Sequence, residues 1–192
     1  MNANTLITFY QGKGSDAAGR MIEEIWAWDH HKLEWTHDYI QWLFPLKEKS
    51  RFNPDAPVLN AGSIYHFRQY LQQQVLRSFK LMLSCYGLRP VEKSGASVQI
   101  VKGNNFKDRS LFWISEGNHN YLRISRILQS LVLVGLAEHA RAFFDCLRKI
   151  YQEEKEEIGE ETLSYWKAAT IRKPNKIKQL FDEHFQNALT TS

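Results

Sequence analysis

Two stretches of the chain carry ionisable and amide side chains at spacings that could do chemistry. The first is Leu33-Glu34-Trp35-Thr36-His37-Asp38-Tyr39-Ile40-Gln41-Trp42-Leu43-Phe44-Pro45. Read as a helix, it places Glu34, His37 and Gln41 on one face, with Asp38 and Trp42 on the neighbouring strip. Tyr39, Ile40, Leu43 and Phe44 supply apolar surface around them. Such a setting is either a polar pocket floor in which His37 titrates near neutral pH, or a buried imidazole satisfied by Asp or a backbone carbonyl. The second stretch is Asn118-His119-Asn120-Tyr121-Leu122-Arg123-Ile124-Ser125-Arg126-Ile127-Leu128. Here Asn118 or Asn120 can cap a helix, and His119, Arg123 and Arg126 recur at steps of four and three. Two guanidinium groups entering so apolar a helix demand an anion. That anion is internal, Asp38 or Glu34, or it is a ligand carboxylate or phosphate. The candidate ligand-binding residues are therefore His37, Asp38, Gln41, Trp42, His119, Asn120, Arg123 and Arg126, taking a peptide or a small anionic ligand.

The same residue types give little support to catalysis. His37 and Asp38 are adjacent, so on a helix they point about 100° apart and make no dyad. The chain holds no nucleophile elbow, glycine-rich phosphate loop or H-E-x-x-H pattern. Asp29, His30 and His31 are a weak metal signal, and Cys85 and Cys146 lack zinc-type spacing. We expect no metal and no cofactor. An acid–base enzyme would need His37, His119 and an arginine to converge in space. Ser50-Arg51-Phe52-Asn53-Pro54-Asp55-Ala56-Pro57 reads as a fixed loop, either a pocket rim or a plain chain reversal.

The elements that must position these residues are helices. Met21, Ile22, Ile25, Trp26 and Trp28 follow a glycine-containing entry loop that Ser15 or Asp16 can cap. A helix is expected from about Lys32 to Phe44, where Pro45 stops it. From Asn60 or Ser63, the residues Ile64, Phe67, Leu71, Val75, Phe79, Met82 and Tyr86 line one helical face, and Gly87 closes it. Val98–Val101 and Leu111–Ile114 read as a hairpin about Lys102-Gly103-Asn104-Asn105. A helix resumes at Asn120, nearly apolar on all sides over 127–134 and bent at Gly135. Ala137 to about Glu154 follows, then segments 160–171 and 175–189. The expected fold is all-α: one compact domain over 1–192, six or seven helices, an irregular or hairpin insertion around 90–118, and C-terminal helices 160–189 packed onto the rest.

Composition agrees with a folded core. The 192 residues are 43% hydrophobic, 13% aromatic and include six Trp, which excludes intrinsic disorder. The longest apolar stretch, Leu131–Ala137, is far short of the roughly 20 residues needed to span a bilayer, and the N-terminus does not resemble a secretory signal. With both cysteines inside apolar helical patterns, reduced core thiols and an intracellular, cytoplasmic protein are expected. Net charge is +4, but residues 151–161 hold six Glu and one Lys, leaving +9 elsewhere. Nucleic acid is thus a second candidate partner, through Arg141, Arg148, Lys149, Arg172, Lys173, Lys176 and Lys178. The acidic segment reads as a solvated turn.

The motif His37-Asp38-Tyr39-Ile40-Gln41-Trp42-Leu43-Phe44-Pro45 closely resembles the conserved region of the opioid growth factor receptor family. Phe9-Tyr10, Leu33-Glu34, Phe52-Asn53, Ala56-Pro57, Met82-Leu83, Tyr86-Gly87-Leu88, His119-Asn120, Leu122-Arg123-Ile124, Arg126-Ile127-Leu128, Leu131 and Gly135-Leu136 continue the match over about 9–150. Ser125 replaces the family's threonine and keeps its hydroxyl. The resemblance implies opioid receptor activity: the animal member is a nuclear and perinuclear receptor for an enkephalin peptide that restrains proliferation, with long C-terminal repeats and import signals. This chain is more similar to the short stand-alone microbial members. The family supplies no catalytic residues to carry over.

Overall fold

The computed structural model describes residues 3–92 and 98–171. It is mainly helical, as expected, with more and shorter helices than the periodicity alone indicates. Helix α1 (Ala3–Tyr10) opens the chain and buries Leu6, Phe9 and Tyr10. Asp16 then folds a turn, its Oδ1 accepting from the amides of Ala18 and Arg20. Helices α2 (Ile22–Trp26), α3 (His30–Trp35) and α4 (Ile40–Leu43) follow. Asp29 caps α3 by accepting from the Lys32 amide at 2.7 Å.

The single helix expected over 32–44 is two helices. Thr36 is extended, with φ −101° and ψ 130°, and residues 36–39 cross from one helix to the next. The physical reason lies in the second motif. Arg123 draws off the carbonyls at the end of α3, which a continuing helix would need for its own ladder. The face shared by Glu34, His37 and Gln41 therefore does not exist as a helical face.

Asn60 caps α5 (Ala61–His66), as the sequence indicates, accepting from the Ser63 amide at 2.8 Å. The expected long helix continues through a π-helical segment, Phe67–Leu71, into α6 (Gln72–Cys85), and Gly87 closes it with φ 73°. Two side chains four residues apart, one in the π segment and one at the start of α6, reach neighbouring carbonyls at the end of α8. Arg68 Nε donates to Leu133 O at 3.0 Å, and Gln72 Nε2 donates to Val134 O at 3.1 Å.

The hairpin is real but its partners differ from expectation. Strand β1 (Leu88–Glu92) pairs antiparallel with β2 (Val98–Lys102), with Pro90 opposite Ile100. Residues 111–114 are not a strand; they form a turn after α7 (Phe106–Ser110). Pro90 argues against a strand when read alone, but a two-stranded sheet has an open edge where a missing N–H is tolerated.

Helices α8 (Asn120–Leu133) and α9 (Ala137–Glu153) flank Gly135, which has φ 89°. Short α10 (Lys155–Ile158) and α11 (Glu160–Ala169) end the described part, and the expected helix over 175–189 lies outside it. The acidic segment 151–161 is thus helical on either side of Gly159 and is not a plain turn. Helix α8 packs between α9 and α11, and β2 lies along α9. Trp42, Trp113, Trp166, Tyr39 and Tyr86 are fully buried in one core cluster. Cys85 and Cys146 are buried free thiols, as expected. No described helix is long and apolar enough to cross a membrane.

Candidate functional site

The two motifs meet where the end of α3 abuts the start of α8. Arg123 enters the core at 5% exposure. One terminal nitrogen donates to Leu33 O (3.1 Å) and Asn120 Oδ1 (3.3 Å); the other donates to Glu34 O (3.3 Å), Thr36 O (2.9 Å) and His37 Nδ1 (2.9 Å). The Tyr39 ring lies 5.8 Å from its guanidinium carbon. The anion that this cation requires is Glu34, whose Oε2 is 4.0 Å away. Asn120 Nδ2 donates to both Glu34 oxygens, at 3.0 and 3.2 Å, and His119 Nε2 stands 3.3 Å from Oε1.

Above this buried base the two imidazoles are exposed. The rings of His37 and His119 pack edge to face with centroids 5.2 Å apart. An arginine can only donate, so its bond to His37 Nδ1 fixes that ring as neutral with its hydrogen on Nε2. Burial, then the neighbouring Arg123 and His119, hold His37 below the usual imidazole range. Burial raises the Glu34 carboxyl, but hydrogen bonds from His119 and Asn120 and the charge of Arg123 outweigh it, leaving Glu34 below the usual carboxylate range.

Of the eight candidate residues, His37, His119, Asn120 and Arg123 thus form one cluster. The side chains of the other four have different partners. Asp38 accepts an ion pair from Arg20 at 2.9 Å, and Arg20 also holds Asp16 at 2.6 Å. Trp42 is core, edge-on to Phe9 at 5.2 Å. Gln41 is buried, with Nε2 3.5 Å from Ser50 Oγ and an unpartnered Oε1. Arg126 is half-buried, donates to Phe44 O at 3.1 Å, and is pushed down to about 10 by burial, with Glu48 acting the other way. Ser130, one turn on, donates to Pro45 O at 3.0 Å. Arg123, Arg126 and Ser130 therefore grip the backbone carbonyls of 33–45 along the length of α8.

Of the two internal anions that the sequence offers, Glu34 is the one at the site, reached across 85 residues from His119. Trp35, the next residue, is 67% exposed at the end of α3 and has the His31 ring 6.1 Å away. Leu111 and Phe112 are exposed on the turn that Asn118 ties down through Phe112 O. Among the described residues no group of three His, Cys, Asp or Glu side chains could hold a metal.

The family model for the opioid growth factor receptor (OGFr) conserved region matches residues 2–190. The chain belongs to that family. It is 38% identical over 122 residues to opioid growth factor receptor-like protein 1 of Mus musculus, covering 61% of this chain and 25% of that protein. It is 36% identical over 128 residues to the opioid growth factor receptor of Homo sapiens, covering 65% and 18%. The Xenopus tropicalis receptor-like protein 1 gives 38% over 122 residues, 61% and 23%. The chain thus spans a quarter or less of the length of these relatives. No solved structure matches it.

Proposed function

We propose that the chain is a non-enzymatic peptide-binding module whose contact surface is the α3–α8 junction. The observation that carries this is the exposed imidazole pair, 5.2 Å apart, standing on a base in which Arg123, Glu34 and Asn120 are bonded to one another and to the end of α3. The base fixes where the imidazoles point before a ligand arrives, which lowers the ordering cost of binding. Trp35, exposed at the end of α3 next to the His31 ring, offers the rigid aromatic surface that peptide contacts favour. The three relatives above are named as an opioid growth factor receptor or as receptor-like, and that likeness supports a peptide as the ligand. Catalysis gains no support, because among the described residues no hydroxyl or thiol bonds to either imidazole. Two buried free thiols support an intracellular site of action.

The test is calorimetric titration of an enkephalin pentapeptide, with a scrambled peptide of the same composition as control. Saturable binding of the first alone is expected, weakened about tenfold by Trp35→Ala or His119→Ala, about 1.4 kcal/mol. Binding that ignores both substitutions, or no discrimination between the peptides, overturns the proposal.

A further inference from the structure

Helix α8 is buried around almost its whole circumference, and the exceptions line up. Leu122, Arg126, Gln129 and Leu133 are the residues of this helix that are not buried. All four are half-buried, and their steps of four, three and four put them on one face. Arg126 thus stands within a half-open strip, with Leu122 a turn before it and Gln129 a turn after it. The amide of Gln129 has no side-chain bond among the described residues.

The two arginines of this helix differ in how their charge is met. Arg123 is answered by Glu34. Arg126 makes one bond among the described residues, from Nη1 to Phe44 O at 3.1 Å, and pairs with no carboxylate there. Glu48 acts on it from a distance and does not offset burial, which pulls Arg126 down to about 10 and leaves it charged at neutral pH. A cation in so dry a setting is costly until an anion meets it. With Nη1 given to Phe44, the Nε–H and Nη2 hydrogens on the adjoining edge of the fork are unspent. That edge donates two parallel bonds to a carboxylate or a phosphate. Charge decides between them. A carboxylate carries the one negative charge that Arg126 balances, whereas a phosphate dianion would leave charge over where Glu48 already adds some.

We infer that Arg126 binds the terminal carboxylate of a peptide, with Gln129 meeting the amide next to that carboxylate and Leu122 the apolar side chain beside it. The charge on the helix calls for the carboxylate, and the open amide a turn away calls for a peptide group rather than a plain hydrocarbon chain. The inference rests on the peptide reading above for the kind of ligand, and it adds a contact one turn along α8 from the imidazole pair.

The probe is N-acetylleucine, with N-acetylleucinamide as the uncharged control, at about pH 8, where histidine is ordinarily neutral and adds no competing charge. The Arg126 Nε–H resonance, assigned by its loss in Arg126→Gln, is followed by NMR. Saturable movement with the acid and none with the amide is expected. Arg126→Gln should weaken acid binding about tenfold, and Arg126→Lys by less, since an ammonium keeps the charge without the fork. Glu48→Gln removes a competing carboxylate and should tighten binding about twofold; this variant and the parent resonance suffice if Arg126→Gln does not fold. Equal movement with acid and amide, no movement with the acid, or an Arg126→Gln chain that binds the acid as well as the parent overturns the inference. Hexanoate, a carboxylate without the amide, should bind about fivefold more weakly, and equal binding would overturn the assignment to a peptide. If N-acetylleucine binds through Arg126 and the enkephalin titration fails, the carboxylate site stands and the junction surface falls. If Trp35→Ala and His119→Ala weaken the enkephalin while Arg126→Gln leaves it bound, the junction surface stands and this inference falls.

Discussion

The guanidinium of Arg123 donates to three carbonyls at the end of one short helix while paired with the carboxylate of Glu34. Removing it strands a buried carboxylate and three carbonyls together, so Arg123→Met should cost about 3–5 kcal/mol, read as a lower urea midpoint. A loss below about 1 kcal/mol would mean that the α3–α8 junction is held by apolar packing alone. Arg123→Lys should fall in between, because an ammonium cannot span the fork. The imidazole beside it sets a pH signature. His37 has a lower value folded than unfolded, so in the window between the two the unfolded chain binds more protons and stability rises with pH. The melting temperature should therefore climb as pH rises towards about 6.5 and level off above it. His30 and His139 are also held low and add to the slope, so His37→Asn should reduce it without removing it. An unchanged slope would show that His37 is not held low in the folded chain. The requirement for an anion at these arginines was legible from residue types, and so was Glu34 as a candidate. That the anion is internal was not, since it depends on two helices meeting.

At the scale of elements, local pattern located most helices and misjudged two joints. Residues 32–44 have the composition of one helix, yet the carbonyls that would continue α3 are taken by a side chain about 90 residues away. No local signal reports such a partner. The π segment is hidden because apolar periodicity survives one widened turn, and the bonds of Arg68 and Gln72 to the end of α8 come from residues 65 and 62 positions away. The hairpin was half legible, since β2 has an unbroken β-prone run while Pro90 disguises β1. Gly135 was readable as a bend, and the structure gives the bend its cost. With φ 89°, an added Cβ would also sit 2.9 Å from Gln72 Nε2 and 3.3 Å from Arg68 Cγ. Gly135→Ala should lose about 1–2 kcal/mol from backbone strain alone, and more as the two carbonyl bonds are disturbed. Gly135→Asn, whose side chain better tolerates left-handed backbone, should be the milder change. Equal losses for the two would argue that crowding against Arg68 and Gln72 outweighs the backbone.

For the molecule as a whole, uneven charge suggested nucleic acid as a partner, and the fold narrows where that could act. Arg141, Arg148 and Lys149 are all exposed on α9. The same helix carries Glu138, Asp145 and Glu153, so it has no net charge. Asp145 stands 3.5 Å from Arg148, and Glu153 holds Lys102 of β2. With three carboxylates beside its three cations, α9 offers a phosphate no net positive field, and it is positive charge that drives sequence-independent binding. Arg172, Lys173, Lys176 and Lys178 lie outside the described residues. We therefore expect Arg141→Glu combined with Lys149→Glu to leave oligonucleotide affinity nearly unchanged, whatever its absolute value. Fluorescence anisotropy with a labelled single strand, run at about 50 and 200 mM salt, reads both affinity and slope. A double variant that loses binding tenfold or more, with a slope shallower by about two phosphate contacts, would place the polyanion on α9 and reverse this assignment.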